Sequence, residues 1–128
     1  MSARAELPKE GDRIIVLRAT EKGTDSTERG VVNGLSSSHE FNMNGSRLTI
    51  EHLYPNDPYL DAEKDGSFLY PDRPRRHIYC HEKDLAEATE SLRISMIEGC
   101  TFAAFDLAAK LNAVRRIKKL YTKMKKEG

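Results

Sequence analysis

The hydrophobic and polar positions of the chain follow two different periods, with the change near Asp84. Before it, short apolar or alternating runs are separated by turn residues. RIIVL (Arg13 to Leu17) is apolar and β-branched and follows the turn signal Gly11-Asp12. RGVVNGL (Arg29 to Leu35) reads as a second strand, with the polar ATEKGTDSTE as the loop between the two. FNM-NG-SRLTI then reads as a hairpin, because Asn44-Gly45 suits the positive φ angles of a two-residue type I′ turn. A turn there pairs Met43 with Ser46, Phe41 with Leu48 and His39 with Ile50. Phe41, Met43, Leu48 and Ile50 then share one face. RHIYC (Arg76 to Cys80) reads as a short returning strand. Alternation turns Ile78 and Cys80 inward and His77, Tyr79 and His81 outward.

From Asp84 onward the period is helical. Leu85, Leu92 and Met96 share a stripe, continued by Phe102, Leu107, Leu111, Val114, Ile117, Tyr121 and Met124. Gly99 followed by Thr101 is a stop-and-cap signal that favours two helices, 84–98 and 102–126, over one. FAAFDLAAKL (Phe102 to Leu111) is apolar nearly all round and is expected to be buried. A helix over 102–126 is about 37 Å long, more than the ~30 Å width of a small domain. Its last turns should project from the body or pair with a second copy. The pattern predicts an α+β fold. A small antiparallel β-barrel fills 1–82, with a long acidic loop at 54–76. A helical C-terminal segment, 83–128, packs on the barrel as a helical hairpin or one long helix.

Composition narrows the class. The 128 residues, 38% hydrophobic and 32% charged, suffice for one domain with a modest core. No apolar run has the length of a membrane span, and MSARAELPKEGD lacks the apolar stretch of a signal peptide. Two cysteines, Cys80 and Cys100, are too few for a disulfide framework. A cytoplasmic protein is expected. Net charge is +1 but polarised. Residues 110–128 hold eight bases and one acid (8 − 1 = +7), and the remainder holds 13 bases and 19 acids (13 − 19 = −6). A basic tail on an acidic body points to an anionic partner.

GDRIIVLRATEKG…ERGVV resembles the KOW motif of small five-stranded barrels. Gly11, Asp12, Lys22, Gly23, Gly30 and Val32 fall in the motif's order, and HIYCHEKDLAEA resembles the usual exit from such barrels. The resemblance covers residues 11–88, the motif itself 11–32. The loop after Gly23 is longer than in that family, and Ala19 stands where Gly is common. Such a resemblance implies a role in transcription or translation machinery, with RNA, DNA or protein as ligand.

On a helical wheel of 100° per residue, Arg115, Arg116, Lys118, Lys119, Lys123, Lys125 and Lys126 occupy one face. Val114, Ile117, Leu120, Tyr121 and Met124 occupy the other. No acid falls between Asp106 and Glu127, whereas a merely solvated face usually mixes signs. PDRPRR adds Arg73, Arg75 and Arg76 on a Pro-stiffened loop, placed either to straddle a phosphate backbone or to neutralise the acids before them. A membrane helix would carry more Trp, Phe and Leu, so no membrane partner is expected. DAEKDGSFLYPD (Asp61 to Asp72) echoes a calcium loop, but Glu63 and Asp72 are the wrong residues at two ligand places, which makes it a plain acidic turn. His77, Cys80 and His81, with Cys100, His39 or His52, are zinc-ligand types, but alternation separates His77 from Cys80. No cofactor or metal is expected, and no phosphate-loop, nucleophile-elbow or metalloprotease motif is present.

The expectation is a non-enzymatic accessory protein that binds nucleic acid, DNA or RNA, by phosphate contacts from its basic helix. The other reading is a dimeric protein–protein module or inhibitor whose acidic body docks on a basic partner. Leu107, Val114 and Tyr121 repeat at seven, with Leu111 interleaved and Lys118 interrupting, which predicts a homodimer through this helix.

Overall fold

A computed structural model describes residues 6–20, 22–56, 60, 64–66 and 77–124. Five antiparallel strands form one curled sheet: β1 (Arg13–Thr20), β2 (Gly23–Leu35), β3 (Glu40–Met43), β4 (Ser46–Thr49) and β5 (His77–His81), in the order β4-β3-β2-β1-β5. One helix, α1 (Leu85–Lys123), follows. The α+β reading, a half-barrel of strands followed by helix, holds.

β2 makes the curl. Its first part pairs with β1 and its last part with β3, and the register slips along both ladders, between Val16 and Arg18 and between Val32 and Leu35. Such irregularities bend a strand and increase its twist. Past β4, a 3₁₀ turn (Ile50–His52) brings Leu53 beside Tyr79 in a parallel bridge, and the Tyr54 amide donates to the Tyr79 carbonyl at 2.7 Å. The chain leaving one sheet edge thus reaches the strand at the other.

β1 is apolar without alternation because both of its faces are covered. Ile14 and Val16 join Val32, Phe41, Met43 and Leu53 inside the curl. Ile15 and Leu17 join Ile78, Cys80, Ala88 and Leu92 under the helix. β5 is shared in the same way, which corrects the outward placement of Tyr79 and His81. Tyr79 packs against the core inside the curl, and His81 is buried. His77 is half-buried and meets the Tyr79 hydroxyl at 3.2 Å.

The hairpin forms as expected. Met43 pairs with Ser46 and Phe41 with Leu48, and the Ile50 amide donates to the His39 carbonyl at 2.8 Å. Asn44 and Gly45 take φ of 52° and 79°. Valine at 45 would force a β-branched side chain into that region. Gly45→Val should therefore cost about 1–3 kcal/mol, read as a lower urea midpoint with an unchanged slope. The polar stretch expected as a loop differs. Thr20 already pairs with Gly23, so Thr24 to Glu28 extend β2 rather than loop out. Thr24, Asp25 and Glu28 pair with Ala19, Arg18 and Val16 of β1, and Asp25 also meets the Arg18 guanidinium at 3.6 Å.

The helix departs from the sequence expectation in two ways. Gly99 does not end it; α1 runs unbroken through 39 residues, about 58 Å. Gly99 is buried, and segment 64–66 lies against it: a Cβ on Gly66 would stand 3.0 Å from the Gly99 carbonyl and 3.0 Å from the Ala103 Cβ. Close backbone approach gives this glycine a packing role that offsets its helix cost of about 1 kcal/mol. The second departure is burial. Ala88, Leu92, Ser95, Gly99 and Ala103 form the buried stripe, and beyond Ala103 no residue of the helix is buried. Phe102, Phe105 and Leu107, expected inside, are more than half exposed, because the helix is longer than the sheet it rests on. Only its first half packs on the barrel.

Candidate nucleic-acid interface

The second half of α1 stands clear of the sheet and carries the basic residues. Arg115, Arg116, Lys118, Lys119 and Lys123 are all exposed. None makes an ion pair among the described residues. Lys110 differs, held by Asp106 at 2.8 Å one turn earlier. Lys125, Lys126, Arg73, Arg75 and Arg76 lie outside the described residues, as do most of the acidic 54–76 loop and of the calcium-like stretch.

Why the sequence tolerates this cluster on a helix is electrostatic. Arg115 and Lys119, and Lys119 and Lys123, are like charges at i,i+4, costing a few tenths of a kcal/mol per pair. The C-terminal end of a helix carries a partial negative charge, which favours the cations of the last turns. Lys123 stands in the last turn and Glu87 in the first, both favourable to the dipole. Arginine and lysine are also good helix formers. On the wheel, Lys118, Arg115, Lys119, Lys123 and Arg116 sweep about 160°, and Arg115 to Lys123 rises about 12 Å. The opposite face is uncovered too. Val114, Ile117, Leu120, Tyr121 and Met124 are each more than half exposed, Tyr121 at 67%.

A second cationic cluster, on the sheet, escaped the sequence reading. Arg13 and Arg29 stand across the β1–β2 ladder and both reach Glu82, at 3.7 and 3.4 Å. With Lys9 and Lys83, Arg13 lines a cavity of about 420 Å³ that also includes Asp12 and His81. Only the strand register, which places Arg13 opposite Val31 and Ile14 opposite Gly30, brings Arg13 and Arg29 together. Exposed pairs of this kind add little stability. His81 Nδ1 lies 4.0 Å from Asp12 Oδ2, and its buried Nε2 has no hydrogen-bond partner among the described residues.

The zinc-type residues are not assembled. Cys80 sits under the helix, whereas Cys100 is exposed on α1. Among the described residues no three His, Cys, Asp or Glu side chains form a metal-binding group. Burial first, and then the charge of Asp84, push the Cys80 thiol up to about 11 from an ordinary 9.0. Such a thiol is inert near neutral pH. In native protein Cys80 should therefore stay unmodified by a thiol reagent until denaturant is added, whatever the rate at Cys100. Two fast thiols would contradict the packing. Because the folded state raises this pKa, its contribution to stability is complete below about 9 and is lost as pH rises toward 11.

No described helix is long and apolar enough to cross a membrane. The chain matches no protein-family model, no curated protein and no solved structure.

Proposed function

We propose that the protein is a non-enzymatic accessory protein that binds nucleic acid, DNA or RNA, through phosphate contacts from the free half of α1. One observation carries this reading: five exposed bases without acidic partners among the described residues share one face of a helix that has left the body. Phosphate binding needs cations that are not already neutralised and that present a rigid, evenly spaced array. The resemblance of residues 11–32 to the KOW motif supports the same direction, with the barrel as the body that orients the helix or meets a protein of the transcription or translation machinery. A second reading, a protein–protein module, draws support from the uncovered apolar face beside the bases.

The test is salt dependence. Four to six contacts, counting Lys125 and Lys126, give a log–log slope of about −3.6 to −5.4 on duplex DNA. Changing Arg116, Lys119 and Lys123 to Gln should flatten it by up to about 2.7, with the fold unaffected because none of the three touches the core. A variant that binds as tightly as the parent at every salt concentration would dismiss the helix as the grip. Absence of binding to duplex, single-stranded DNA and RNA at low salt would favour the protein–protein reading. Binding to anionic vesicles in place of nucleic acid would overturn both.

A further inference from the structure

The face of α1 turned away from the sheet has a pattern of its own. Starting at Glu87 and ending at Lys118, ten positions recur with strict spacings of three and four: acids at 87 and 90, Ile94 and Ile97, small residues at 101, 104 and 108, Leu111, then bases at 115 and 118. All ten are exposed, Ile97 at 52%. They lie opposite the buried stripe of Ala88, Leu92, Ser95, Gly99 and Ala103. Alternating spacings of three and four make the seam of a two-helix coiled coil.

This seam is complementary to itself when reversed. We propose that two copies of the chain pair antiparallel along it, in the register that sets Ile94 against Leu111 of the second copy. The same register sets Ile97 against Ala108 and Thr101 against Ala104, so small residues occupy the crossing and let the helices approach closely. At both ends opposite charges meet: Glu90 faces Arg115, and Glu87 faces Lys118. The five pairs require one register, because each pair of numbers has the same sum (87 + 118 = 90 + 115 = 94 + 111 = 97 + 108 = 101 + 104). A parallel pair would instead set glutamate on glutamate and base on base. The wider charge distribution agrees. Over 85–106 the helix has four acids and one base (1 − 4 = −3), and over 107–123 six bases and no acid (+6). Antiparallel packing lays each acidic half beside a basic half.

Burial supports the same occupant. Phe105, 75% exposed, and Leu107 flank the seam and come under the second helix. The seam is about 47 Å long, and its ten positions with the eight that flank them between its ends give 18 residues a side, close to the 20–30 of a stable interface. In the single chain Glu90 already accepts from Arg93 Nε at 2.8 Å. A carboxylate has lone pairs for a second cation, and Arg115 and Lys118 have no other partner among the described residues. The seam differs from the heptad of Leu107, Val114 and Tyr121, which Lys118 interrupts; here Lys118 has an acid to meet. It leaves Arg116 and Lys123 off the contact, sets Lys119 at its end, and does not rest on the nucleic-acid reading.

Light scattering of nuclease-treated protein at tens of micromolar should give twice the chain mass. The double reversal E87K/E90K should weaken the dimer at least about tenfold, as should R115E/K118E. The quadruple variant carrying both should restore it. For orientation, Cys100→Ser protein with Ile94→Cys, mixed with Cys100→Ser protein with Leu111→Cys, should join under a short bismaleimide, whereas the Leu111→Cys protein alone should not. Buried Cys80 does not interfere. A monomer mass, self-joining of the Leu111→Cys protein, or a quadruple variant no tighter than either double would each overturn the arrangement.

Discussion

Phe41→Ala should cost the protein about 3–5 kcal/mol, the largest loss expected from any single truncation in the sheet. Phe41 is fully buried and stands in β3 between the last part of β2 and β4. Its ring fills the inside of the curl with Ile14, Val16, Val32, Met43 and Leu53. The surroundings cannot collapse onto the space it leaves, because β1 is held from behind by the helix-side core. Removing a buried aromatic therefore loses both its transfer energy and the contacts around an open cavity. The check is urea unfolding followed by circular dichroism. A midpoint within error of the parent would mean that the curl has no core of its own.

Leu92→Ala should cost about 2–5 kcal/mol by the same reasoning, but with a different signature. Leu92 is the largest buried side chain that α1 contributes, and it rests on Ile15, Leu17, Ile78 and Cys80. Its neighbours along the stripe, Ala88, Ser95, Gly99 and Ala103, have little apolar area to compensate. The helix should then loosen ahead of the sheet. Amide exchange should accelerate over 85–103 more than over β2 and β3. Uniform acceleration across the chain would show that helix and sheet open only together.

These effects bear on which parts of the structure could be read from sequence. The Asn44-Gly45 hairpin was legible because its turn dictates two backbone conformations and its register places Phe41 and Met43 on one face. β1 was legible as an apolar run. The first part of β2 was not: Thr24, Asp25 and Glu28 are polar and pair with β1 through their backbones, which hydropathy does not register. Gly99 looked like a stop because helix propensity is local. The segment that needs its bare backbone includes Gly66, far away along the chain. Phe102 to Leu107 looked buried because composition reports apolarity without reporting how far the sheet extends. The cationic face of α1 was legible from spacing alone, whereas the Arg13–Arg29–Glu82 cluster depends on a strand register and a later turn.

The position of β1 also governs how the molecule reaches its native state. Its two neighbours come from very different distances along the chain. β2 follows after a two-residue turn, whereas β5 pairs Ile14 with His81 and Arg18 with His77. The meander from β1 to β4 consists of short-range contacts that form without closing a large loop. Seating β5 closes a loop of roughly sixty residues, a cost that grows only slowly with length but precedes any reward from the helix-side core. During synthesis, Ile15 and Leu17 must wait for partners that emerge much later. One side of a nascent sheet therefore stays open, and in refolding experiments the rate-limiting event should be acquisition of β5 rather than formation of any of the three hairpins of the meander.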